Sequence, residues 1–226
     1  MKVLLPRLMF CISMMAVSVV GCMIRPAIAQ TSGVFEIDFT NASLVPAHWR
    51  LKLNSEGSGQ FDAEGGQTSP QDKNGILAGD VHRSIQLSPE FTARVFATAR
   101  ERKLFQFPCE SHMKVAFQGT KRLSYSGPEG NGACEFNYSK DKQIQALGDS
   151  LMAVENTLLY GARLEKLLQH DRLGLDKEME SLAMAAHDGS AIEVGAIREI
   201  LTRIASDEQV LERARRKARL LLTQAR

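Results

Sequence analysis

The sequence predicts an α+β fold: a small, mostly antiparallel sheet with one or two packed helices, followed by a C-terminal helical-hairpin region. Before residue 140, apolar and polar residues alternate in short runs that turn-forming residues separate, which is typical of half-buried strands. From Lys140 onward the apolar period changes to about 3.5 residues, which is typical of amphipathic helices. The change in period predicts an α+β domain over residues 34–160 and a helical domain over residues 161–226.

Four strands are predicted in the first part of the chain, because each segment alternates apolar with polar side chains. Turn-forming residues at positions 55–59 favour a hairpin between the second strand and the third. Residues 65–74 contain no apolar side chain and are rich in Gly, Gln and Ser, which predicts a loop. The four strands are expected at residues 34–40, 48–54, 60–64 and 80–87.

A helix is predicted to begin at Ser88, a hydroxyl N-cap that Pro89 and Glu90 follow in the first turn. Apolar residues at helical spacing continue this helix to about Lys103. After it, alternation predicts three further strands, with the glycine-rich residues 127–132 as a hairpin connection. These strands are expected at residues 113–118, 121–126 and 134–139.

The remainder of the chain is predicted to be helical. One long amphipathic helix has its apolar stripe over residues 144–168, and Gly161 is expected to weaken it. The next helix is expected to end at Gly189, because glycine is typical of a helix C-cap. A third helix contains residues 197–204, and a capping box at residues 206–209 is expected to begin the last helix.

The N-terminal residues 1–29 predict a secretory signal peptide. Lys2 and Arg7 precede a short apolar core at residues 8–20, and residues 27–29 match an A-x-A cleavage site. Cleavage after this site would give an exported protein, periplasmic or secreted.

A second processing site competes with the first. Residues 19–22 (Val-Val-Gly-Cys) resemble a lipobox, and lipidation of Cys22 would make the protein lipid-anchored to a membrane. A membrane partner is expected only in that case. The partner is otherwise expected to be a protein or another component of the cell envelope.

Charge argues against a nucleic-acid partner. The whole chain holds 28 basic and 26 acidic residues, a net charge of +2. Lys2, Arg7 and Arg25 leave with the signal peptide, which contains no acid, so 25 basic residues then stand against 26 acidic ones. The mature chain therefore has a net charge of −1, and its bulk charge favours neither nucleic acid nor an anionic surface.

Two of the four cysteines, Cys109 and Cys134, remain after cleavage at Ala29. An even pair in an oxidising compartment predicts a disulfide bond, and closing a loop of this length stabilises a fold by about 3 kcal/mol. The alternative is a metal site formed by Cys109, His112 and Cys134, which lacks a clear fourth ligand. We therefore expect the disulfide and no bound metal.

No convincing catalytic motif is present. Residues 127–132 lack the Gly-Lys-Ser/Thr of a P-loop, the five histidines are scattered singly, and no Gly-x-Ser-x-Gly elbow occurs. The polar cluster at residues 170–180 fits a solvated helix start, and the basic run at 212–219 fits a charged, solvent-facing helix surface. No catalytic residue and no cofactor are predicted.

Several segments between His48 and Leu158 have a pattern in common with a known group of proteins. They are the strand with Trp49, the turn at residues 57–61, and the segments 85–88, 103–107, 115–125 and the helix around Leu147. This pattern resembles a bacterial exported domain family of unknown function. The resemblance implies no activity and no catalytic residues, because that family has none established.

Two functional hypotheses remain. The first is an exported, non-enzymatic binding or scaffold module of the bacterial cell envelope, which the missing catalytic motifs favour. The second is a cell-envelope hydrolase with an unrecognised active site around His112, Tyr125 and Glu135 at the edge of the sheet. A deep pocket lined by those polar groups would favour the hydrolase, and a flat apolar groove along the helices would favour the binding module.

Overall fold

Six antiparallel strands form the centre of the computed structural model, which describes residues 32–65 and 79–224. The strands are β1 (Val34–Thr40), β2 (His48–Asn54), β3 (Ser58–Glu64), β4 (Val81–Gln86), β5 (Thr120–Gly127) and β6 (Gly130–Phe136). Their spatial order is β4-β3-β2-β1-β5-β6. The helices within the described residues are α1 (Pro89–Glu101), α2 (Lys142–His170), α3 (Leu175–Asp188), α4 (Arg198–Ser206) and α5 (Glu212–Gln224). The predicted α+β class is confirmed.

One face of the sheet carries the hydrophobic core, and α1 and α2 pack on it. Phe96 of α1 meets the ring of Tyr125 edge-on, with centroids 6.2 Å apart, and Gly148 of α2 lies directly against Phe136. Burying a large apolar side chain of this kind contributes roughly 1.5–3 kcal/mol. The strand residues on this face are almost fully buried; the largest are Phe35, Phe39, Trp49, Phe61 and Phe136.

The start of α1 is as predicted, and a distant acid reinforces it. The Oγ atom of Ser88 accepts a hydrogen bond from the N–H of Phe91 at 3.1 Å. The carboxylate of Glu193 accepts hydrogen bonds from the N–H and the Oγ–H of Ser88, at 2.7 and 2.8 Å. Glu193 has a left-handed backbone (φ 56°), which is strained for a residue with a side chain. These bonds hold the chain before α4 against the positive end of α1.

Helix α2 continues without interruption through Gly161, where the sequence predicts a weakened helix. A Cβ atom at this position would collide with the side chains of Ile197 and Arg83. The glycine therefore allows the chain before α4, and the guanidinium of Arg83 on β4, to approach α2 closely. The predicted domain boundary near residue 161 falls inside this helix.

Among the C-terminal helices, the predicted end of α3 is confirmed and the predicted start of the last helix is wrong. Gly189 follows α3 with φ 81°, as predicted for a helix C-cap. The capping box predicted at residues 206–209 is wrong, because Ser206 is the last residue of α4 and its hydroxyl donates to the carbonyl of Thr202 at 3.0 Å. Asp207 instead accepts a hydrogen bond from the N–H of Gln209 in a turn, and α5 begins only at Glu212.

The strand predicted at residues 113–118 is also wrong. No strand among the described residues pairs with this segment, and side-chain amides of Asn41 and Asn137 bond its backbone instead. The last strand, β6, lies at Gly130–Phe136 rather than at 134–139, because Gly127 pairs directly with Gly130 in a tight hairpin. All three glycines of residues 127–132 therefore lie within the paired strands.

Several predictions fall outside the described residues. They include the signal peptide at residues 1–29, the lipobox with Cys22, and most of the loop predicted at residues 65–74. Among the residues that are described, no helix combines the length and the apolar character required to cross a bilayer.

Candidate functional site

The three residues proposed for a hydrolase site do not converge. Tyr125 lies on the buried face of the sheet, 3% exposed, between the core strands and α1. Glu135 lies on the opposite, solvent-facing side of β6 and pairs with Arg122 of β5, with Nε and Oε1 3.4 Å apart. His112 lies outside the sheet in the segment between α1 and β5. Side chains on opposite faces of a sheet cannot act on one substrate atom.

Cys109 and Cys134 form the predicted disulfide bond, with their Cα atoms 5.6 Å apart. It joins β6 to the segment that follows α1, and both cysteines are buried. Sulfur atoms in a disulfide are not available as thiolate ligands, which removes the alternative metal site with His112. No group of three or more His, Cys, Asp or Glu side chains within 32–65 and 79–224 could hold a metal ion.

The acidic and basic clusters of the helical region pair with each other. Asp176 of α3 contacts Arg213 of α5 at 2.8 Å and Lys217 at 3.5 Å, and Glu180 contacts Lys217 at 2.5 Å. Glu178 pairs with Arg163 of α2 at 2.5 Å. These contacts hold α2, α3 and α5 together, so the basic run is a packing surface as well as a solvated one.

The solvent-facing side of the sheet carries a row of alternating charge. Cross-strand partners bring together one charged or titratable residue from each of the six strands in spatial order. Three neighbouring pairs are in contact, at 2.8, 2.9 and 3.4 Å between their polar atoms. This charge row consists of His82, Asp62, Arg50, Asp38, Arg122 and Glu135.

The pairing in the charge row shifts the pKa values of its members. Burial raises the pKa of Asp38, but hydrogen bonds from Arg50 and His48 outweigh that effect and hold the pKa below its usual value. The hydrogen bond to Asp62 raises the pKa of His82. Charges that neutralise their neighbours leave little net field for an ionic ligand, so this face is a poor candidate site.

An open groove of about 590 Å³ lies where β4 meets α1. It runs between Ser88 and Pro89 on one side and Ile192 and Glu193 on the other, with Gln224 of α5 at its end. The carboxylate of Glu193 is already bonded to Ser88. None of the residues proposed for a hydrolase lines this groove.

The strongest candidate is the exposed loop, residues 112–118, which connects the region after α1 to β5. All seven of its residues are exposed. Three of them are large and apolar: Met113 is 50% exposed, Val115 41% and Phe117 64%. Tyr138, which lies beside the beginning of this segment through the bond from Ser111 N–H to its carbonyl, is 37% exposed. Exposed apolar side chains that cluster in this way mark interaction sites.

Asn137 fixes the far end of the exposed loop. Its side-chain oxygen accepts from the N–H of Gln118 at 2.7 Å, and its side-chain amide donates to the carbonyl of Ala116 at 3.1 Å. Its backbone carbonyl accepts from Nζ of the buried Lys121 at 3.3 Å. A buried residue of another loop adds to this, since the amide of Asn41 donates to the carbonyl of Gln118 at 3.1 Å.

Glu110 fixes the near end. Its carboxylate accepts hydrogen bonds from the N–H of Asn137 at 2.7 Å and from the N–H of His112 at 3.1 Å. The bond from Asn137 is the main cause that lowers the pKa of Glu110, so the acid stays ionised and bonded. The disulfide at Cys109 lies one residue further back. Both ends of the loop are therefore tied to β6 and to the residues that follow it.

Gly119 allows the chain to leave the exposed loop and enter β5. Its φ of 121° lies in a region that residues with a side chain rarely adopt. A Cβ atom there would also collide with the ring of Phe39 in the core. The apolar side chains of the loop are thus exposed on a framework that hydrogen bonds at both ends hold in place.

Sequence reasoning missed this site because of the alternation that predicted a strand. Met113, Val115 and Phe117 are spaced two residues apart, which is the period of a half-buried strand. No feature of this segment's own sequence separates an exposed loop from a half-buried strand. Comparison with known proteins adds nothing here: no protein-family model matches the chain, and no curated protein matches it significantly. The resemblance to an exported family stays a prediction.

Proposed function

We propose that this protein is an exported, non-enzymatic binding module of the cell envelope, and that it contacts its partner through the exposed loop, residues 112–118. The observation that carries this proposal is that the loop has exposed apolar side chains and a backbone that hydrogen bonds hold in place. Met113, Val115 and Phe117 project into solvent, while Glu110 accepts from the N–H of His112 on one side of them and Asn137 accepts from the N–H of Gln118 on the other. A loop that is already ordered loses little conformational entropy when it binds.

The hydrolase alternative has weaker support. It requires His112, Tyr125 and Glu135 to act together, and Tyr125 and Glu135 lie on opposite faces of the sheet. A hydrolase would therefore need a different set of residues. The binding module needs only the surface that is present.

Export is supported by two features that are independent of the loop. The N-terminal residues 1–29 have the charge, apolar core and cleavage site of a signal peptide. The Cys109–Cys134 disulfide is compatible with an oxidising compartment. In this proposal the mature protein is periplasmic or secreted, or is lipid-anchored if Cys22 is the processing site.

The test places an environment-sensitive fluorophore on the exposed loop. A Phe117→Cys variant carrying the dye is mixed with a cell-envelope fraction, and its emission is followed. We expect a saturable blue shift, because the position becomes shielded from water when a partner binds. This readout responds to a protein or a lipid partner alike.

A matched control carries the same dye at Leu173→Cys. Leu173 is 76% exposed and lies beyond the far end of α2, whereas the exposed loop lies near the start of that helix. A shift at Phe117 and none at Leu173 supports the proposal. Equal shifts at both positions, or none at Phe117, would contradict it.

A further inference from the structure

We infer that the partner of the exposed loop is the surface of an anionic membrane. This inference rests on the proposed function and adds the chemistry of the partner. The sequence predicts a membrane contact only through lipidation of Cys22, so a contact through residues 112–118 would be a second and independent one.

The first argument is the form of the apolar surface. Met113, Val115 and Phe117 alternate with short or polar residues along an irregular segment, and every residue from 112 to 118 is exposed. The open groove beside Ser88 and Glu193 is not lined by any of these residues. An exposed apolar segment of this kind matches a fluid interface, which accommodates side chains of any shape to a shallow depth.

The second argument is charge. Lys114 lies within the loop, and Lys140 and Lys142 follow Tyr138 closely in the chain; all three are exposed. No ion pair engages these three amines among the described residues. The rest of the surface pairs many of its cations, including Arg50, which contacts Asp38 at 2.9 Å.

The acids in the same two stretches are already engaged. Within residues 110–118 and 138–142 the acids are Glu110 and Asp141. Glu110 accepts backbone N–H bonds at the base of the loop. Asp141 caps α2 by accepting from the N–H groups of Gln143 and Ile144, and its other oxygen contacts Arg102 at 3.1 Å. These two stretches therefore hold three lysines against two acids, and one of the acids is paired with Arg102, which leaves a small excess of positive charge.

Apolar side chains with amines beside them are the chemistry that anionic lipid headgroups recognise. The apolar groups enter the boundary between headgroup and acyl chain, and lysines reach the phosphates with flexible stems. Each lysine near an anionic surface adds to the attraction, which salt weakens. An acidic protein would need a complementary cleft for Phe117, and it becomes one outcome of the test.

The experiment uses the chain without residues 1–29, because Thr31–Arg226 form a compact unit by themselves. Removing those residues also excludes lipidation of Cys22. The protein is floated with vesicles of equal parts phosphatidylcholine and phosphatidylglycerol, and in parallel with phosphatidylcholine alone. We expect binding to the anionic vesicles that decreases with added salt, and little binding to the neutral ones.

Two variants separate the apolar from the ionic contribution. Phe117→Ser is expected to weaken partitioning about tenfold, because an apolar ring no longer leaves water. Lys114→Glu is expected to weaken it by a similar factor and to reduce the dependence on salt. Leu173→Ser is the matched control, since it removes an exposed apolar side chain elsewhere and should leave binding unchanged.

Three results would overturn the inference: no flotation with anionic vesicles, equal flotation with neutral ones, or wild-type binding by Phe117→Ser. If the labelled Phe117 position still shifts with an envelope fraction while vesicles fail, the partner is a protein and the proposed function stands. If neither experiment gives a signal at Phe117, the proposed function fails together with this inference.

Discussion

The solvent-facing side of the sheet and the exposed loop are both accessible surfaces, but the first carries paired charges and the second carries exposed apolar side chains. On the sheet, residues of opposite charge face each other across the strands, as Arg50 and Asp38 do at 2.9 Å. On the loop, Met113 and Phe117 are at least half exposed, and Lys114 lies between them. The charged groups of the sheet face are paired with one another, whereas the apolar side chains of the loop remain exposed to water.

This difference indicates that the exposed loop, and not the sheet face, is the surface that contacts a partner in the proposed function. A polar sheet face with paired charges is stable in water and requires no other explanation. An apolar loop in water is unfavourable, and the contacts of Asn137 and Glu110 keep it in this position instead of letting it collapse onto the core. Substitutions on the sheet face should therefore change stability alone, and substitutions on the loop should change binding.

The largest effect is expected from removing the disulfide. Cys109→Ser with Cys134→Ser should lower the free energy of unfolding by about 3 kcal/mol, because the bond closes a 25-residue separation in the unfolded chain. Urea unfolding of the oxidised protein and the double variant measures this difference. Hydrogen exchange should show the additional loss of protection near the exposed loop and not in β2 or β3. Uniform loss across the sheet would contradict the assigned role of the bond.

A second effect depends on pH and comes from Glu155 on α2. Burial raises the pKa of this acid to about 7 from its usual 4.5, so the folded state holds a proton that the unfolded state releases. Its contribution to stability is therefore present below about pH 4.5 and is lost as the pH rises to about 7. Glu155→Gln should be more stable than wild type by about 2 to 3 kcal/mol at pH 8 and similar to it at pH 4.

Asp38 on the sheet provides a control, because its contribution to stability changes with pH in the opposite direction. Its pKa is lowered by its hydrogen bonds, so its contribution is present at neutral pH and is lost as the pH falls below about 4. Urea unfolding of Glu155→Gln and Asp38→Asn over a pH series checks both. A Glu155→Gln profile parallel to that of the wild type would show that the buried carboxyl titrates normally.

The smallest effect is expected in the charge row. Arg50→Ala removes contacts with Asp38 and Glu36, yet exposed ion pairs contribute less than about 1 kcal/mol. The difference from wild type should diminish in high salt and at acid pH, where Asp38 is protonated. Vesicle binding should not change. If Arg50→Ala abolished binding while the protein stayed folded, the sheet face and not the loop would be the docking surface.

Most of the fold could be predicted from the sequence. Alternation placed the first four strands and β5 within one or two residues, because a strand with one buried face must have a period of two. The Ser88 cap, the Gly189 C-cap and the long apolar stripe of α2 are local signals that tertiary contacts did not change. The disulfide was predicted by elimination, since two cysteines remain after the signal peptide.

The candidate site could not be predicted. The pattern of Met113, Val115 and Phe117 is the same whether these side chains enter a core or face solvent. The outcome depended on whether another strand pairs with this segment. The side chain of Asn137 instead bonds the backbone N–H of Gln118 and the backbone carbonyl of Ala116.

The sequence by itself determined the secondary structure wherever a segment's own period and caps were sufficient, together with the pairing of Cys109 with Cys134. Export stays a prediction of the N-terminal residues. Only the tertiary structure decided which face of each alternating segment meets another element. It separated Tyr125 from Glu135 and left Phe117 in solvent. The physical reason is that burial is a property of two surfaces in contact, and a sequence pattern describes only one of them.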